Sequence, residues 1–269
     1  MKLSDAVKIL SEAGIEDARR EARTIFGTLG GYSLADLVGS DLKTGNTAVI
    51  EAVGRRANHE PLQYIIGKVD FFYETYKVTP DCLIPRQDTE ILVSLAVKMI
   101  PEGEKFIDLC TGSGCIAIST LKNTKSTTAV AVDLSSGALA LARENAALNG
   151  VADRVTFIEA DVLRERIDGE YFAVLSNPPY VTQAAYEALE PELYFEPEMA
   201  LVGTDDDGAG FYRRIIELYI DAVKDGGFIA FEIGYDQANS LSKAAEAIGK
   251  KCEIIKDLSG NDRVALIRK

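Results

Sequence analysis

Phe106-Ile107-Asp108-Leu109-Cys110-Thr111-Gly112-Ser113-Gly114 is the stretch on which the fold turns. An apolar run of buried-strand length passes straight into a glycine-rich turn, and a helical pattern starts near Cys115. The same alternation then repeats downstream. Residues 128–133 form the second strand, and Ser135 or Ser136 caps a long helix that ends at Asn149-Gly150. Residues 155–158, 171–175 and 227–233 are the third, fourth and fifth strands, with helices expected around 211–223 and 237–248. Residues 252–255 and 264–267 flank Gly260-Asn261 as an antiparallel hairpin at the sheet edge. Strands alternating with helices imply an α/β fold: a seven-stranded, mostly parallel sheet with helices on both faces.

Upstream the pattern changes. Leu3, Val7 and Leu10 recur at helical spacing up to Gly14, and Ala18, Ala22, Ile25, Phe26 and Leu29 continue until Gly30-Gly31. Ser33 with Asp36 looks like a capping-box variant, and Ile50, Val53 and Ala57 make one more stripe. These segments predict a small α-helical bundle. Around Pro61, Tyr64-Ile65-Ile66-Gly67 and the run 71–78 are rich in aromatic and β-branched residues, as in a linking β-hairpin. The expected division is therefore residues 1–75, helical with the linker hairpin, and residues 76–269, the α/β domain. In the latter, Asp88 is expected to cap a helix carrying Leu92, Leu95, Ala96 and Met99.

The fourth strand ends in Ser176-Asn177-Pro178-Pro179-Tyr180. Neither proline can donate to a ladder, and the residue before a proline is pushed out of the helical region, so Asn177 is held extended. An amide side chain is thus presented at the carboxyl end of a buried strand, where open α/β sheets bind ligands. A planar amide or amino group set against this corner would donate one N–H to the Asn177 side-chain oxygen and another to the Pro178 carbonyl. Tyr180 is placed to stack on its face.

Composition narrows the classes. A formal charge of −13, with no Lys/Arg-rich run, argues against a protein whose affinity comes from neutralising phosphates. Cys82, Cys110, Cys115 and Cys252 lack zinc or redox spacing, and a single histidine, His59, makes a His-based metal site unattractive. The acidic run Asp205-Asp206-Asp207 lacks the spaced ligands of a calcium loop. No metal is expected. With no apolar run of membrane-spanning length and a polar Met1–Asp5 start, the expectation is a cytoplasmic protein.

Asp133, at the end of the second strand, is an acid positioned for both hydroxyls of a ribose. The dinucleotide fingerprint wants a third glycine where Ala117 stands, a replacement it tolerates, so glycine count alone leaves NAD open. The sequence after the fourth strand offers no hydride-transfer partner, whereas the Asn177 corner suits methyl transfer to nitrogen. The better fit is S-adenosylmethionine, a nucleoside carrying a sulfonium.

Taken together, the motifs resemble the release-factor glutamine methyltransferase family (HemK/PrmC type). The resemblance runs over nearly the whole chain. It takes in Pro61-Leu62-Gln63-Tyr64-Ile65-Ile66-Gly67, the segments 83–90 and 108–114, Asp133, and Asn177 to Tyr180. It continues through Ala200-Leu201, Asp207-Gly208, Phe211-Tyr212-Arg213, Glu232-Ile233-Gly234-Tyr235-Asp236-Gln237 and Gly260-Asn261-Asp262-Arg263-Val264. Gln87 stands where the family commonly has proline, and Cys110 where many members have glycine.

The resemblance implies a Rossmann-like S-adenosylmethionine-dependent methyltransferase domain preceded by a helical substrate-docking domain. It also implies methylation of the glutamine side-chain amide nitrogen in the Gly-Gly-Gln motif of peptide chain release factors. Thr111, Gly112, Ser113 and Gly114 are expected around the methionine moiety, Asp133 at the ribose and Asp161-Val162 at the adenine edge, with Cys110 and Asn177 also contacting the cofactor. Asn177 and Pro178 are the expected catalytic groups, with Pro179, Tyr180 and Phe72 around the substrate. Arg86 is a candidate partner for the methionine carboxylate, and 232–237 a brace behind the corner. The expected partner is a release factor bound by a monomer, without nucleic acid or membrane. The alternative is an adenine or cytosine amino-methyltransferase acting on nucleic acid through the same corner, which would have to flip a base and hold a polyanion.

Overall fold

The computed structural model describes residues 1–38 and 42–269, and these fall into two compact units. The first comprises Met1–Lys68 with Glu190–Phe195, and the second Val69–Leu189 with Glu196–Lys269.

The first unit carries α1 (Leu3–Glu12), α2 (Ala18–Gly30), α3 (Thr47–Ala57) and α4 (Leu62–Ile66). Their apolar faces close on Leu10, Ile25, Phe26, Val49 and Val53, all fully buried. Asn46 caps α3, its side chain accepting from the Ala48 amide at 2.9 Å. Ser33 and Asp36 exchange the expected capping bonds, but the helix they open is a single 3-10 turn, Asp36–Val38. Arg56, almost fully buried, pairs with Glu21 and with Glu192 of the 190–195 segment at 2.6 Å.

Two expectations here need correction. Tyr64-Ile65-Ile66-Gly67 is not a hairpin strand: Pro61 at the N-cap and left-handed Gly67 (φ 78°) bracket one helical turn that buries Leu62 and Ile65. The hairpin is β1 (Lys68–Phe71) with β2 (Glu74–Lys77), turning at Phe72-Tyr73, both at positive φ as a type I′ turn requires. It belongs mostly to the second unit, because Phe71 and Tyr76 are buried in that unit's core. The division therefore falls after Lys68 rather than after residue 75.

The second unit continues with α5 (Glu90–Met99), β3 (Lys105–Leu109), α6 (Cys115–Lys122), β4 (Thr128–Asp133), α7 (Ser136–Leu148), β5 (Val155–Glu159) and β6 (Tyr171–Ser176). A short α8 (Gln183–Tyr186), α9 (Gly210–Tyr219), β7 (Val223–Glu232), α10 (Ala238–Ala247), β8 (Cys252–Lys256) and β9 (Asp262–Arg268) complete it. The seven strands lie in the order β5-β4-β3-β6-β7-β9-β8, parallel except for β9, which inserts antiparallel between β7 and β8. Side chains alternate across the sheet as a period of two dictates. Phe106, Ala131, Leu175 and Ala230 face one apolar layer, and Ile107, Val132, Val174 and Phe231 the other.

The chain starts the sheet at β3, builds β4 and β5 to one side, then returns to place β6 on the other. Leu109 pairs with Val132 on one flank and Ser176 on the other. The carboxyl ends of these three strands therefore meet at the topological switch point, with Asp108, Asp133 and Asn177 among them.

Candidate active site

Several local devices build this end of the sheet. After β3 the chain turns through Cys110 (φ 59°) and Gly112 (φ 54°), both left-handed, before Gly114 caps α6. At Cys110 the left-handed region is costly for a residue with a Cβ, which is the physical reason glycine suits that position. The turn is tied to β4 by Thr111 N–H on the Val132 carbonyl at 2.9 Å and Gly112 N–H on Asp133 Oδ2 at 2.8 Å. Asn145, fully buried on α7, donates to the Ser113 carbonyl at 3.0 Å and holds the β2 backbone at Lys77 through both of its amide atoms.

A cavity of about 300 Å³ opens at this point in the second unit. Among its lining residues are Cys110, Thr111, Gly112, Ser113, Asp133, Asp161, Val162, Asn177 and Pro179, all expected from the sequence. Gly114, Pro178, Tyr180 and Phe72 do not line it. Gly114 instead permits close packing: a Cβ there would sit 2.8 Å from Ile118 Cδ1 and 3.2 Å from Ala142 Cβ. Phe72 lies in the β1–β2 turn, its amide held by Glu90 Oε1 at 3.0 Å. Pro178 is buried and Tyr180 half-buried at the corner.

Asp133 is the best-placed acceptor. Its two carboxylate oxygens each take one backbone N–H, from Gly112 and from Ser135, and keep lone pairs for a diol. Burial raises its carboxyl above the ordinary value, with those N–H groups opposing. Asp161 bonds the Leu163 amide at 3.0 Å and pairs with Arg164 at 3.0 Å.

Asp108, which the sequence reading left out of the site, is fully buried behind the turn. Its Oδ2 accepts from Thr111 Oγ1 at 2.6 Å and the Ala117 amide at 3.2 Å, while its Oδ1 has no partner among the described residues. Burial pushes this carboxyl up to about 7. Bonded to Thr111 and to the Ala117 amide, Asp108 fixes the turn that walls the cavity. The cavity and the diol acceptor of Asp133 fit S-adenosylmethionine.

Arg86 lines the cavity but is already engaged. It pairs with Glu196, a buried carboxylate that also accepts the Ile84 amide at 2.9 Å. This pair joins two loops of the wall. Asp88 does not cap α5. A 3-10 turn, Gln87–Thr89, precedes that helix, and Asp88 meets Arg263 of β9 at 3.2 Å.

At the corner itself, Ser176 Oγ donates to the Leu109 carbonyl at 2.6 Å and fixes β6 against β3. Asn177 is half-buried, and its Nδ2 donates to Thr89 Oγ1 at 3.4 Å. Beyond the prolines, the amides of Tyr180 and Val181 both bond the Leu201 carbonyl, at 3.1 and 2.8 Å. Gln237 donates to the Tyr180 carbonyl at 3.1 Å and accepts from Tyr212 Oη and the Gly234 amide, each at 3.0 Å. That arrangement is the expected brace behind the corner. Burial pushes the Tyr180 phenol well above its ordinary value. The Asp205-Asp206-Asp207 run is a surface loop in which Asp205 and Asp207 pair with Arg213. Asn261-Asp262-Arg263 closes the β8–β9 turn, with Asp257 accepting the Asn261 amide. No described helix is long and apolar enough to cross a membrane.

Comparison with known proteins agrees with this geometry. Residues 2–67 match the PrmC N-terminal domain and residues 87–194 the methyltransferase small domain. The chain is 37% identical over 261 residues to a release factor glutamine methyltransferase of Geobacter sulfurreducens, covering 95% of this chain and 91% of that one. It is 35% identical to the protein of the same name from Moorella thermoacetica, covering 98% and 96%. Among solved structures, a methyltransferase from Pyrococcus furiosus superposes with a TM-score of 0.54 at 18% identity, over 71% of this chain and 86% of that one, a likeness of fold.

Proposed function

From the premise that this chain belongs to the release factor glutamine methyltransferase family, we propose that it transfers a methyl group from S-adenosylmethionine to the side-chain amide nitrogen (N5) of the glutamine in the Gly-Gly-Gln motif of peptide chain release factors. The observation that carries this reading is the Asn177-Pro178-Pro179-Tyr180 corner beside a cavity whose donors and acceptors suit that cofactor. When bound, the cofactor supplies an electrophilic methyl on a positively charged sulfur.

The chain's own residues deal with the harder partner. An amide nitrogen is a poor nucleophile because its lone pair is delocalised into the carbonyl. The Asn177 Nδ2 is engaged with Thr89, which leaves Oδ1 as acceptor for one substrate N–H; the Pro178 carbonyl takes the other. Fixing both N–H bonds aims the lone pair along one line, and such positioning supplies on the order of 7–11 kcal/mol in favourable cases. The same two acceptors stabilise positive charge developing on the nitrogen. A nitrogen that has lost its amide resonance is acidic, so it releases its proton to water without a dedicated base. Asp133 would hold the ribose, and Thr111, Gly112 and Ser113 would contact the methionine portion. Tyr180 flanks the substrate from the corner. The partner is a release factor met in the cytoplasm by a monomer, with no nucleic acid bound.

The test is methyl transfer from tritium-labelled S-adenosylmethionine to purified release factor, DNA and RNA in parallel. Label on the release factor alone is expected. Label on either nucleic acid, with none on the release factor, overturns the reading in favour of an amino-methyltransferase of bases.

A further inference from the structure

Thr89 connects two groups that the chemistry above leaves separate. Its Oγ1 donates to Glu232 Oε2 and accepts from Asn177 Nδ2. A hydroxyl has one proton, so the direction of this chain is decided at the end that cannot donate. Glu232 closes β7 and is 2% exposed. Ionised, it can only accept, so Thr89 gives it the proton and turns a lone pair toward the Asn177 NH2. Protonated, it donates to Thr89, whose proton then seeks an acceptor and finds it in Asn177 Oδ1 once the amide rotates. The rotated amide offers an NH2 to a substrate that itself brings N–H groups, and the two repel.

We propose that Thr89 and Glu232 are positioning residues that set which atom of the Asn177 amide faces the substrate, and that protonation of Glu232 reverses that choice. This role rests on Asn177 accepting from the substrate amide, as set out under the proposed function. The geometry comes from three elements far apart in sequence: the turn before α5, the end of β6 and the end of β7.

The groups facing Glu232 are Thr89, Asp88 and Arg86 from the segment before α5, Arg263 from β9, Tyr180 beyond β6, Tyr212 from α9 and Cys115 at the start of α6. Burial is the largest influence and raises the carboxyl to about 7. The Thr89 bond, Arg263 and Arg86 oppose it, and Asp88 adds to it. Its change of charge therefore falls in the range where an enzyme works.

The test observes the amide directly. In full-length protein labelled with 15N at asparagine side chains, the Asn177 resonances are identified by their loss in Asn177→Ala and followed from roughly pH 5 to pH 9. A single transition with a midpoint near 7 is expected, absent in Thr89→Val and in Glu232→Gln. In parallel, Thr89→Val is expected to lower kcat by about tenfold with the KM for cofactor unchanged, and Thr89→Ser to restore it. Below the transition, wild-type kcat falls while that of Glu232→Gln stays flat. An Asn177 resonance that does not move in the wild type overturns the proposal even if the variants fail to fold, and so does a transition that survives Thr89→Val. Because the spectrum needs no substrate, a normal transition in a protein that methylates no release factor refutes the proposed function and leaves the relay standing.

Discussion

Replacing Asn145 with alanine tests how the fold supports the site. Asn145 is fully buried on α7 and uses its whole amide. Oδ1 accepts the Lys77 N–H at 2.8 Å, and Nδ2 donates to the carbonyls of Lys77 at 3.1 Å and Ser113 at 3.0 Å. In Asn145→Ala the Ser113 carbonyl is left in a dry interior, at a cost of about 1–3 kcal/mol. The two Lys77 groups lie nearer solvent and recover part of their bonding from water, so each adds about 0.5 kcal/mol. The sum, about 2–4 kcal/mol, is a large fraction of the ~5–15 kcal/mol that holds a folded protein. Because Ser113 forms part of the cavity wall, the loss should also appear in the ligand. Urea denaturation should show a lower midpoint with an unchanged slope, and titration calorimetry a Kd for S-adenosylmethionine weaker by about tenfold, or ~1.4 kcal/mol. Stability within about 0.5 kcal/mol of wild type, together with unchanged cofactor affinity, would refute the claim that Asn145 organises the glycine turn.

Four further outcomes follow from particular contacts and from burial. Gly114→Ala forces a Cβ against Ile118 and Ala142 in a left-handed residue and should cost about 2–4 kcal/mol by calorimetry. Gly112→Ala meets only Cys82 Cβ at 3.7 Å and should cost about 1 kcal/mol, its larger effect falling on cofactor affinity. Arg86→Ala strands the Glu196 carboxylate and should destabilise by about 1–3 kcal/mol, with Glu196→Gln in the double variant recovering part of the loss; a variant of wild-type stability that loses only cofactor affinity would return Arg86 to the methionine carboxylate. Burial raises Asp108 and Glu232 to about 7, so between the ordinary carboxylate range and about 7 the folded state holds more protons than the unfolded one. Stability from these groups is then full below the unfolded values and falls as pH rises through about 7, by on the order of 3–4 kcal/mol each, and Glu232→Gln should flatten that slope in denaturation curves measured across the window.

The sheet was legible because its strands are short apolar runs with turn residues at their ends, and the glycine turn and the proline corner mark two of those ends locally. The misreadings arose where distant packing overruled local preference. Tyr64, Ile65 and Ile66 favour strands by residue type, yet burial of Leu62 and Ile65 between Pro61 and Gly67 makes a helical turn. Asp88 looks like a cap, but a cation from β9 claims it. The close packing of Gly114 against Ile118 and Ala142 has no local signal of its own. Arg86 meets Glu196 across 110 residues and Thr89 meets Glu232 across 143, and no spacing rule reaches that far. Asp108 did leave a signal: an acid inside an apolar strand, one residue before its end and the glycine turn, is a polar group buried for a reason. The passage of Glu190–Phe195 into the first unit left none, since Glu192 reads as a surface acid until Arg56 is seen beside it.

The most direct measurement is peptide mapping by tandem mass spectrometry of a purified release factor after incubation with this protein and S-adenosylmethionine, with Asn177→Ala in parallel. One added methyl on the side chain of the Gly-Gly-Gln glutamine, reduced at least ~100-fold in rate with Asn177→Ala, is the result predicted here. An unmodified glutamine, with cofactor shown to bind, or a methyl placed equally well by Asn177→Ala, would contradict it.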